Sequence, residues 1–183
     1  MKKLVISFFS ILIIFLLSCG KKSVSDLMEF EKIFNSLPKP NVIESDMTVE
    51  LRQPGNGPDY YVLSYKGKEI FSSSKVSIKI IAKDVAFIVE SYGTVSFVNN
   101  NTIDRFDAID ILQLETGTTE IADLRNYEIK VDSHQEFAYI RAEWWSEKEI
   151  KRNWSGKNFN GEKIYWRYSL ITGELMNAAG RKI

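Results

Sequence analysis

Across 183 residues the chain carries 24 Lys+Arg against 24 Asp+Glu, and this even balance excludes the strongly basic field by which proteins hold nucleic acid or anionic bilayers. A single histidine and a single cysteine exclude a His-based metal cluster, a disulfide framework and a zinc thiolate site. Four tryptophans, eight tyrosines and eleven phenylalanines within a 44% hydrophobic composition supply material for a real core.

In chain order, Met1 to Gly20 comes first. Lys2 and Lys3 form a basic start. The apolar run from Leu4 to Leu17 is 14 residues long, broken only by Ser7 and Ser10, which suits the central region of a secretory signal and is short for a membrane span. The only cysteine follows. The box Leu16-Leu17-Ser18-Cys19 resembles the lipobox of bacterial lipoproteins, with Leu three before the cysteine and a small residue just before it. That resemblance implies cleavage between Ser18 and Cys19, diacylglyceryl transfer to the Cys19 sulfur and acylation of the new amino group. A thiolate is the side-chain nucleophile suited to forming that thioether, and two or three chains anchor stably because each buried methylene contributes roughly 0.8 kcal/mol. An ordinary transmembrane anchor and a secretory signal cut elsewhere are the competing readings.

The expected organisation is therefore residues 1–18 as signal peptide, 19–23 as lipidated tether and 24–183 as one β-rich globular domain. Loss of Lys2 and Lys3 leaves 22 basic against 24 acidic residues in the mature chain. Gly20 and Lys21 stand where some bacteria place an inner-membrane retention Asp, which favours an outer membrane if there is one.

From Val24, apolar residues recur at helical spacing as Leu27, Met28, Phe30, Phe34 and Leu37, with Ser23 and Asp26 spaced as a capping box. Pro38 and Pro40 stop the pattern. One helix of about 13 residues is expected, its apolar side on the domain and Asp26, Glu29 and Glu31 on an acidic outer face. The acidic face is unlike that of membrane-surface helices.

Beyond Val42 the period falls to two, with β-branched and aromatic runs separated by Gly, Asn and Asp. Strands are expected over 47–52, 60–65, 69–73, 76–81, 85–91, 94–98, 108–114, 118–121, 128–131, 137–143, 163–170 and 174–177. The stretch 54–58, PGNGP, can only be a loop. Three runs pass from an apolar strand through a glycine turn into a return strand, at Gly67, Gly117 and Gly173, and glycine suits the positive-φ position of such turns. Asp84 to Val89 and Glu136 to Arg141 read as similar strands upstream of the last two. This loose period resembles the blades of a β-propeller from Tyr60 to Met176, although three partial units do not close a ring. A sandwiched or closed antiparallel sheet explains the pattern equally well. The expected fold is mainly β, a single antiparallel β-sheet domain (barrel, sandwich or incomplete propeller-like) with one short N-terminal helix.

The residues that carry chemistry are few. His134 sits in a polar turn. Asp132, Ser133 and His134 have the residue types of a triad, yet neighbours in sequence do not converge on one site. Asp104, Asp107 and Asp110 would align only on a helix, and in a loop entering a strand they scatter, so no metal is expected. No phosphate-binding loop, dinucleotide fingerprint or nucleophile elbow occurs. The stretch 139–168 holds all four tryptophans among an excess of cations. Trp144, Trp145 and Trp154, with Arg141 and Arg152, are the candidate ligand or partner surface, expected in an insertion before the last hairpin, because Trp and Arg dominate binding hot spots. The alternative for these tryptophans is burial in the core.

These features point to a lipid-anchored envelope protein acting by binding or as a structural accessory, without cofactor, whose partners are membrane lipid through acylated Cys19 and an envelope protein or glycan. An inhibitor or immunity-type lipoprotein is the chief alternative. An envelope hydrolase would need a convergent acid and base that the sequence does not display.

Overall fold

The computed structural model describes residues 24–42, 44–90, 94–107, 110–111, 122–146 and 162–182. Helix α1, Val24–Ser36, opens it. Phe30 and Phe34 lie four residues apart on one face and are both buried, with Leu27, Ile33 and Leu37 packed beside them. Burying each of those rings stabilises the helix on its sheet by roughly 1.5–3 kcal/mol. The Leu37 amide still bonds back to the Ile33 carbonyl at 3.2 Å, and Pro38 and Pro40 then end the helix. Val24 and Met28 differ from expectation, being 74% and 67% exposed. At 3.6 residues per turn Met28 lies nearly opposite Phe30, so it cannot share the buried stripe. Ser23, the expected cap, lies outside the described residues.

The strands form three sheets, in which every neighbouring pair is antiparallel. Sheet I contains β1 (Met47–Arg52), β2 (Tyr60–Tyr65) and β3 (Lys68–Ser73). Sheet II contains β4 (Val76–Ala82), β5 (Val85–Glu90), β6 (Thr94–Asn99) and β7 (Thr102–Asp107). Sheet III contains β8 (Ala122–Val131), β9 (Phe137–Ser146), β10 (Glu162–Ser169) and β11 (Leu175–Asn177). Each sheet is a meander of consecutive strands.

The sheets stack as layers, and side-chain alternation explains how. On β5 and β6, Val85, Phe87, Val95 and Phe97 join a core with Ile140, Ile164, Trp166 and Tyr168 of sheet III. The intervening Ala86, Ile88 and Val98 join Met47 and Leu63 of sheet I. Sheet II is thus covered on both faces, which is why Val85 to Val89 reads as a continuous apolar run. Sheet III is covered on its far face by α1, whose Phe30 ring sits 5.4 Å from both Tyr139 and Tyr165. Among the described residues the architecture is mainly β with the short helix α1, built as stacked open sheets and not as a closed barrel.

Several strands differ from expectation. β7 was expected as loop, β8 starts six residues earlier than expected, and β9 runs three residues further, to Ser146. Of the strand expected over 108–114, Asp110 and Ile111 are helical and the rest lies outside the described residues, as do the strand over 118–121 and the Gly117 turn.

Five hairpin turns gather at one end of the stack. The β2–β3 turn is Lys66-Gly67, with φ of 50° and 76°, the left-handed pair that matches the twist of a two-residue hairpin. Asp84, Asn100 and Gln135 take positive φ in the β4–β5, β6–β7 and β8–β9 turns, as Asn and Asp tolerate best. The turns are tied to one another. Asp84 Oδ1 accepts the Asp46 amide at 2.7 Å, the Asn100 amide donates to the Asp84 carbonyl at 2.8 Å, and the Leu170 amide donates to the Glu136 carbonyl at 2.8 Å.

Candidate functional site

The end of the stack away from these turns carries Trp144 and Trp145. Trp144 and Trp145 belong to strand β9 itself and not to the insertion in which they were expected. As consecutive strand residues they point to opposite faces. Trp144 packs, half-buried, against the core between sheets II and III, and its Nε1 is buried without a hydrogen-bond partner among the described residues. Trp145 is 8% exposed, and its Nε1 donates to Glu143 Oε2 at 3.5 Å. Arg141 is half-buried, ion-paired to Glu128, and lies 4.8 Å over the Phe34 ring. The structure therefore packs Arg141, Trp144 and Trp145 into the body of sheet III and separates the two tryptophans. Trp154 and Arg152 lie outside the described residues, as does Cys19.

The turn end is built differently. Between the β6–β7 turn of sheet II and the β10–β11 turn of sheet III lies an open cleft of about 350 Å³. Its supports form a hydrogen-bonded chain across all three layers. Tyr65 Oη of sheet I donates to Asn100 Oδ1 at 2.9 Å, Asn100 Nδ2 donates to Asn99 Oδ1 at 2.9 Å, and Asn99 Nδ2 donates to the Leu170 carbonyl at 2.8 Å. Beneath them the Tyr168 hydroxyl donates to Asp104 Oδ2. The Tyr168 ring is fully buried, stacked parallel on Phe97 with centroids 3.9 Å apart. Burial, followed by the bond to the Asp104 carboxylate, pushes the Tyr168 hydroxyl well above its usual pKa, so it remains a donor.

Strand alternation puts Asp104 there. It pairs with Phe97 across β6–β7 and so shares that residue's face, toward sheet III, whereas Asp107 takes the opposite face. The three aspartates accordingly do not converge, and among the described residues no group of three or more His, Cys, Asp or Glu could hold a metal ion. Gly173 closes the other wall with φ of 71°, and a Cβ there would stand 3.1 Å from Asp104 Oδ2, so conformation and close approach both require glycine. The missed signal for this corner was the run Asn99-Asn100-Asn101-Thr102, a turn sequence tolerant of positive φ between two alternating runs.

A larger cleft of about 560 Å³ opens at the same end, between the connection that follows α1 and the β4–β5 and β8–β9 turns. Its walls mix Pro38, Pro40, Ile81 and Val131 with Lys39 and Lys83. Asp132, also on its wall, is committed to the backbone: its carboxylate accepts from the amides of His134 at 2.9 Å, Glu136 at 3.1 Å and Phe137 at 2.6 Å. Asp132, Ser133 and His134 are thus a capped turn and not a triad, and His134 is exposed.

No family model, curated protein or solved structure matches this chain.

Proposed function

We propose that the protein is a bacterial envelope lipoprotein, anchored through acylated Cys19 and acting as a binding or structural accessory component. The observation that carries this reading is the position of the Leu16-Leu17-Ser18-Cys19 box, five residues ahead of Val24, the first residue of a helix fastened to sheet III by Phe30 and Phe34. Five extended residues reach about 17 Å. A lipid on Cys19 would thus hold the folded body close to the bilayer, with the start of α1 at the attachment point. The turn end, with its preorganised polar cleft, is the face that suits binding. Loops set on a rigid sheet scaffold are where such sites concentrate.

Intact-mass measurement of the mature protein tests the anchor. The expected species begins at Cys19 and carries acyl mass, and Cys19→Ser removes that mass and releases the protein from the membrane fraction, because an alcohol is a far poorer nucleophile than a thiol at neutral pH. A mature chain beginning after Cys19, or one without acyl mass, overturns the reading.

A further inference from the structure

We infer that the cleft between the β6–β7 and β10–β11 turns is a binding site for a neutral, polyhydroxylated ligand, a glycan chain. This names the ligand class of the binding component proposed above and in that sense rests on that reading.

The inference begins with what the cleft's polar groups have left to offer. Asn99 and Asn100 are spent holding the turns together, and Tyr168 is spent on one oxygen of Asp104. Asn101 and Thr102 line the cleft with exposed side chains, and Asp104, half-buried, lines it with its second carboxylate oxygen. Together they present a side-chain amide, which both donates and accepts, a hydroxyl, which does the same, and one strong acceptor. A sugar hydroxyl also donates and accepts at one atom, so adjacent hydroxyls on a ring match this set. Among the described residues no Lys or Arg lines the cleft, and the one charge there is a carboxylate. Phosphate, sulfate and uronate ligands would meet repulsion there without a compensating cation. Ile171, 72% exposed on the cleft wall, supplies apolar surface for the C–H face of a ring.

Preorganisation supports the same conclusion. The chain of bonds from Tyr65 to the Leu170 carbonyl crosses three sheets, and Gly173 leaves room beside Asp104 that a Cβ would crowd. The acceptor and the turns are therefore fixed before a ligand arrives, which lowers the ordering cost of binding. The cleft's 350 Å³ lies at the small end of ligand sites, suited to one or two rings of a longer chain.

The test uses the full lipidated chain in a detergent without a sugar headgroup. It is titrated with maltotetraose and chitotetraose, with a uronic-acid oligosaccharide, and with a neutral Gly-Ser peptide, while calorimetry and the Ile171 methyl NMR signal are followed. Saturable binding of at least one neutral oligosaccharide with a shift of the Ile171 methyl is expected, and no binding of the other two probes. Asp104→Asn keeps an acceptor for Tyr168 and should weaken binding about tenfold, as for hydrogen bonds to a charged group. Asn101→Ala removes an exposed side chain outside the supporting network and should weaken it about threefold to fivefold. Absence of saturable binding to the neutral sugars, preference for the uronate or the peptide, or wild-type affinity in both variants overturns the proposal. The two readings fail separately: unacylated protein that still binds the sugar removes the anchor and leaves the site, whereas acylated protein that binds no sugar does the reverse.

Discussion

The two ends of the sheet stack solve different problems with the same strands. At the turn end, five short hairpins are joined by hydrogen bonds across all three layers, and the polar groups are positioned by one another. At the opposite end, β9 fills space with Trp144 and Trp145, and the end of sheet I leaves Leu51 49% and Tyr61 37% exposed. The core runs through both ends, and what sets the turn end apart is a group of polar side chains fixed by hydrogen bonds across the layers. An aromatic-rich stretch catches the eye as a binding surface, yet rings on adjacent strand positions must face opposite ways.

This contrast can be broken most severely at the tryptophans. Trp144→Ala should lower stability by about 2–4 kcal/mol, somewhat below the cost of emptying a fully buried aromatic site because Trp144 is half-buried, as read by urea unfolding. A nearly unchanged unfolding midpoint would turn that end back into a surface.

At the turn end, Asp132→Ala should cost about 1–3 kcal/mol, because three backbone amides lose their acceptor at once. Unfolding free energy checks it, and Asp132→Asn, which keeps one acceptor oxygen, should recover part of the loss.

A smaller effect is expected at Gly173, where Gly173→Ala should cost about 1–2 kcal/mol through the positive φ and also tilt Asp104 away from Tyr168. Tyrosine ultraviolet titration of the variant should then show one hydroxyl ionising at lower pH than in the parent.

The smallest effect is a pH dependence. Burial, with the hydrogen bond to Glu31, raises the Tyr165 hydroxyl to about 12, and Tyr168 is raised as well. A pKa raised in the folded state means that the unfolded chain releases its proton first. This contribution is thus complete below pH 10 and is lost as pH climbs from there toward the folded value. Stability should be level below pH 9 and decline above 10, and Tyr165→Phe should flatten part of that decline.

Much of the fold was legible locally. The α1 stripe at Leu27, Phe30 and Phe34 depends only on 3.6-residue spacing, its end on Pro38 and Pro40, and the hairpins at Gly67 and Gly173 on a residue that accepts positive φ. β7 was hidden because Asp104, Arg105 and Asp107 read as a polar loop. The sheet partner that makes Asp104 an inward residue is Phe97, and its hydroxyl partner, Tyr168, lies 64 residues away. The candidate site followed the same division, since the residues singled out in sequence, Arg141, Trp144 and Trp145, were chosen by type, and type does not reveal burial.

By itself the sequence determined the helix and most strand positions, because each is a short-range pattern whose physics lies within a few residues along the chain. Only the tertiary structure decided that three meanders stack as layers, that Val85 to Val89 is covered on both faces, and that turns from all three sheets meet around Asn100 and Asp104. Those outcomes depend on contacts between residues 35 to 71 positions apart, whose pairing is selected by the joint burial of whole sheet faces and leaves no mark in any one segment.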